Sequence, residues 1–172
     1  APQPERTNIK DHRGKTWVTR KRIHIDRIAS AWLILRFFDD QARFKFVSSK
    51  DYKLKRDEVR FDMFQAEFTH EGDNCTFEVI LSRLKLDNVA LTAIAEVVHD
   101  LDIKDAKFGR PEAQGVLALL SGITLRYEDD EERLSRGMQL LDDLHRYFHR
   151  YRCFLFSLFA SFCVFLSSFF AW

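Results

Sequence analysis

The chain has 172 residues, enough for a single domain that buries its own core without disulfide or metal staples. Its 27 Lys and Arg against 26 Asp and Glu leave a net charge of +1. That balance argues against nucleic acid or an anionic membrane as a partner of the whole chain, so any electrostatic function has to be local. Three cysteines, Cys75, Cys153 and Cys163, form no CxxC pair and an odd count, which fits a reducing, cytoplasmic compartment better than a disulfide framework.

Residues 1–15 are polar, contain two prolines and read as a disordered lead-in. From Ile25 to Phe38 the apolar residues Ile25, Ile28, Ala29, Trp32, Leu35 and Phe38 recur at helical spacing, with Asp26 as an N-cap candidate. Short half-buried strands are expected over Ala42–Val47, Val59–Asp62 and Ala66–His70, where aromatic and polar residues alternate. Helical patterns resume at Thr76–Leu86, Val89–Ile103, Pro111–Leu120 and from Asp130 to about Arg150. Asp87 or Asn88, Pro111 and Asp129 are the start signals. The expectation is an α+β fold: one mainly helical domain over residues 16–150 with a small sheet of short strands in its N-terminal half.

The tail, residues 151–172, differs. Phe154 to Trp172 carries no charged residue and is rich in Phe, Ser and Cys. Its length would allow a membrane anchor, but its composition and the missing charge on its far side equally suit a packed C-terminal helix or a stretch foreign to the domain. Membrane association is therefore the alternative to a cytoplasmic location, conditional on the tail.

Four segments carry chemistry. In Arg20 to Arg27 a basic run enters a helix start, where backbone N–H groups and guanidinium forks suit a tetrahedral oxyanion. A solvated basic strand with an ordinary Asp cap accounts for the same residues. In Phe68 to Glu78, His70 and Glu78 are metal-ligand and proton-transfer types on either side of a Gly-Asp-Asn turn. Cys75 between them suits a small buried side chain better than a reactive thiol, and Thr76 is a helix-cap candidate. His99, Asp102 and Asp105 are spaced to share one face of a helix end. Phe108 to Glu112 is a turn that places Arg110 beside a helix start. No GxGxxG or Walker loop is present, so no nucleotide cofactor is implied.

The stretches TWVTRKRIHIDRIASAWLI, FTHEGDNCTFE, VVHDLDIKD and FGRPEAQG, in this order, resemble the C-terminal domain of the ChrB-type chromate-resistance family, from about Thr16 to Phe148. The resemblance implies a chromate-linked role. Full-length members carry a further N-terminal region, the expected DNA-binding part, so direct nucleic-acid binding is not expected of this chain. The motif positions are His24, Asp26, Arg27, His70, Cys75, Glu78, His99, Asp102 and Asp105.

Together these readings give His70, Glu78, His99 and His24 as candidate ligands of one divalent transition metal, Zn, Mn or Fe. Arg22, Arg27, Lys104 and Arg110 are the candidates for an oxyanion such as chromate. Asp26, Cys75, Asp102 and Asp105 are further members of a polar site. The leading function is binding and sensing of chromate or a metal. A metal- or thiol-dependent detoxifying enzyme and a membrane-tethered accessory protein are the alternatives, with self-association left open.

Overall fold

The computed structural model describes residues 9–48 and 52–169, with side chains for residues 11–48 and 52–150. Three short strands form the sheet: β1 (Thr16–Arg20), β2 (Arg43–Val47) and β3 (Glu58–Arg60), in the order β2-β1-β3. Both pairings are parallel, so β1 is central and all three carboxyl ends lie on one edge. The register sets Trp17 beside Phe44 and Val59, and Val18 beside Lys45 and Arg60. Side chains alternate along a strand, so one face carries Trp17 and Phe44 toward the main core, while the other carries Val18, Arg20, Lys45, Val47 and Arg60. The expected small sheet is present, with two differences. Thr16–Arg20 is its central strand, whose run of buried residues from Trp17 to Thr19 hides the alternation. Ala66–His70 is not a strand: after β3 the chain turns through Asp62 and Gln65 at positive φ and makes only an isolated bridge, Phe61 with Phe68.

Helix α1 (Ile25–Leu33) makes the crossover from β1 to β2 and is buried nearly all round. It runs into a π-helical turn, Ile34–Phe38, closed by the Asp39 N–H on the Ile34 carbonyl. Around it lie α2 (Thr76–Leu84), α3 (Val89–Asp102), α4 (Ala113–Arg126) and α5 (Asp130–Phe169). The fold is thus mainly helical α+β, as expected. Trp17, Trp32, Phe61, Phe68 and Phe77 fill the centre, with Trp32 and Phe77 stacked at 6.5 Å.

Local chemistry sets the boundaries. Asn88 caps α3 by accepting from the Ala90 and Leu91 N–H groups, and Asp129 does the same for Glu131 and Glu132 at α5. The α4 helix starts at Ala113, two residues after Pro111. The N-cap of α1 is His24, and the N-cap of α2 is Cys75 rather than Thr76. The lead-in is partly structured: Ile9–His12 is a 3-10 turn, His12 is buried against Glu67 at 3.0 Å, and the Gly14 N–H donates to Asp39. Residues 1–8 lie outside the described residues, as do the side chains of residues 151–172, on which the anchor expectation rests. Among the described residues no helix is long and apolar enough to cross a membrane.

Candidate functional site

The carboxyl edge of a parallel sheet is where strand ends, loop turns and helix starts converge, and such edges hold ligands in open α/β sheets. Here the chain leaving β1 enters α1 with Asp26 in its first turn, and the chain leaving β3 reaches Asp62 two residues on. Asp26 does not cap its own helix. Its two carboxylate oxygens accept from the Thr76 and Phe77 N–H groups at 2.8 and 2.9 Å, and from the Ser30 hydroxyl at 3.1 Å. It therefore caps α2 from across the core, which explains how a carboxylate sits there only 2% exposed.

His70 completes the cluster. Its Nε2 lies 3.3 Å from Asp26, 3.8 Å from Asp62 and 3.2 Å from Asp102, so three carboxylates from α1, the β3 loop and the end of α3 surround one ring nitrogen. Arg27 pairs with Asp62 at 3.0 Å, and the Thr76 hydroxyl donates to the same side chain. The hydrogen bond to Asp26 and the fields of all three carboxylates raise the His70 pKa against the opposing effect of burial. Burial, then the charge of Asp26, raise Asp62 and Asp102. One ligand atom each from Asp26, Asp62 and His70 lies within 4.8 Å of the others, the dimensions of a metal site. His70 is 40% exposed, so the cluster opens to solvent.

His99 belongs to a second, closed cluster. It is fully buried, with Nδ1 at 2.7 Å from Glu78 and Nε2 at 3.3 Å from Asp105. Glu78 reaches back to the Cys75 N–H at 2.9 Å. Burial opposes the charged ring, but the two carboxylate hydrogen bonds outweigh it and raise the His99 pKa. With both nitrogens engaged, His99 has no free lone pair for a metal. Burial pushes the Cys75 thiol strongly up, away from the thiolate that nucleophilic or redox chemistry needs. The two clusters flank the start of α2 and meet at the end of α3, where its last residue Asp102 joins one and Asp105, three residues beyond the helix, joins the other.

His24 makes no ion pair with these carboxylates among the described residues. Burial, with Arg133 and Lys104 nearby, lowers its pKa. Arg22, at φ 60°, donates its backbone N–H to Asp130, and its side chain is exposed. Arg110 is held by Glu96 and lies over the Phe148 ring, and Lys104 is exposed at φ 64°. Of the four cations read as an oxyanion set, Arg27 and Arg110 are already paired with carboxylates. Asp62 went unrecognised in the sequence. Its signal, an acidic residue just past a strand, gains meaning only once the strands are known to be parallel.

A profile of the family described as ChrB, C-terminal domain, matches residues 17–148. Protein ChrB of Cupriavidus metallidurans is 35% identical over 138 residues, covering 80% of this chain and 42% of that protein. The chain thus spans less than half the length of this relative. No solved structure matches the chain. The match extends over both clusters and every motif on which the resemblance rests, and the chain belongs to the ChrB C-terminal domain family.

Proposed function

We propose that this domain serves chromate resistance by binding one divalent transition metal at His70, Asp26, Asp62 and Asp102. The observation that carries the reading is the convergence of three carboxylates on the Nε2 of one imidazole whose side chain is partly exposed. Without a metal that arrangement concentrates negative charge in partly desolvated surroundings, and a dication offsets it. One nitrogen and three oxygens form a mixed donor set: imidazole suits Fe and Zn, carboxylates suit Mn, and together they favour Mn or Fe with Zn accommodated. Arg27 holds Asp62, and the α2 backbone holds Asp26, so two of the ligands are oriented before metal arrives.

Direct capture of chromate by Arg22, Arg27, Lys104 and Arg110 has less support, because Arg27 and Arg110 already face carboxylates. Within this reading the metal, or an oxyanion bound to it, is the sensed species. Titration calorimetry of the EDTA-treated chain with Mn2+ tests it. Stoichiometric binding lost in His70→Ala and Asp62→Asn but kept in His99→Gln supports it, and equal binding by all three variants refutes it.

A further inference from the structure

The second face of the sheet carries a feature that the metal site does not use. Arg20 ends β1, and Arg60 ends β3 beside Val18, so the register points both side chains to the face away from the main core. Lys45 shares that face but is neutralised by Glu58 at 3.0 Å and bonded to Tyr52 at 2.6 Å. Arg20 and Arg60 instead open into a cleft of about 1060 Å3 that Lys53 also lines. Among the described residues none of these three cations has a carboxylate partner; Arg60 donates to the Tyr52 carbonyl. The carboxylate in the cleft, Asp62, is engaged by Arg27. The cleft therefore brings together three cations without a carboxylate partner of their own in a chain that is nearly neutral overall.

It is also lined by a turn with Asp62 and Gln65 at positive φ, which holds Phe64 outward at 68% exposure. A large aromatic fixed in water beside guanidinium groups offers a flat apolar surface next to an anion site. His70 and Asp62 line the same cleft, so whatever occupies it meets the edge of the metal cluster.

We propose that this cleft binds a tetrahedral dianionic oxyanion group, held by Arg20, Lys53 and Arg60. The group belongs either to a free inorganic oxyanion or to an organic phosphate ester whose flat part rests on Phe64. Guanidinium forks match the oxyanion edge, and the cleft exceeds what a lone tetrahedral ion fills, which leaves room for the ester. This goes beyond the metal reading, since the three cations are not metal ligands and the EDTA-treated chain is the test object.

NMR titration of that isotopically labelled chain at low salt, with phosphate, sulfate and phenyl phosphate, tests the proposal. Saturable shifts at Arg20, Arg60 and the 62–65 turn are expected. Arg20→Ala and Lys53→Ala, both exposed and safe for the fold, each weaken binding about tenfold, the loss of one charge-assisted contact. Arg22→Ala leaves it unchanged. Tighter binding of phenyl phosphate that Phe64→Ala abolishes assigns an ester. Equal affinity for phosphate and phenyl phosphate assigns a free oxyanion. No saturable shift with any of the three anions, or affinity indifferent to Arg20 and Lys53, overturns the proposal.

Discussion

The carboxylate of Asp26 accepts two hydrogen bonds that hold α1 to the start of α2 and a third from Ser30 within α1, and the same group faces His70. Removing it strands two buried N–H groups, so Asp26→Ala is expected to cost about 2–4 kcal/mol in urea unfolding and to abolish metal binding together. Asp102 has no such backbone duty: its described partner is His70 at 3.2 Å. Asp102→Asn is expected to weaken metal binding while shifting the unfolding midpoint little, and a large loss of stability would show that Asp102 is structural. The motifs displayed the residue types of this site but not their grouping. His70 and His99 are alike as sequence, and only the fold shows one partly exposed with three carboxylates about its Nε2 and the other fully buried with both nitrogens engaged. Asp26 reads as a cap in sequence and is one, but of another helix, because caps are inferred locally while this one acts across 50 positions.

Among the elements, α1 and α5 meet where Gly137 faces Ile28. A Cβ at Gly137 would overlap the Ile28 side chain, whose β-branch cannot swing aside. Helix propensity alone favours Gly137→Ala by about 1 kcal/mol, and overpacking opposes it by about 1–3 kcal/mol. The variant is expected to be destabilised in thermal unfolding, and a raised Tm would place the helices farther apart than described. The same junction is pinned by Asp142, which accepts from the Trp32 indole at 2.8 Å and from Arg36. Helices were legible because their apolar spacing and caps are local. The central strand β1 was not, because burial on both faces removes the alternation that marks a strand, and the expected strand at Ala66–His70 yields to the turn at Asp62 and Gln65.

For the whole molecule, protonation links stability to metal. His70 and His99 titrate above the ordinary 6.5 when folded, so the folded chain binds their protons more tightly than the unfolded chain does. Their stabilisation is complete below 6.5 and is lost as the pH rises through the folded values. Asp62 and Asp102, also raised, act in the same sense upward from 3.8. His24 and His145, lowered, act oppositely: they cost stability as the pH falls from 6.5 through their folded values. Metal-free protein is therefore expected to lose stability as the pH rises above 6.5, with His99→Gln flattening the profile, and a stability that climbs over that range would contradict these assignments. Metal competes with protons for His70, Asp62 and Asp102, so its affinity is expected to increase with pH, with any proton release visible as a buffer-dependent heat.

A crystal of the chain soaked in Mn2+ and measured for anomalous scattering locates the metal without inference. One peak at bonding distance from His70 Nε2 and the carboxylates of Asp26 and Asp62, with Asp102 alongside, is the predicted result. A peak beside His99 and Glu78 instead, or no peak in the His70 cluster under saturating Mn2+, would contradict it.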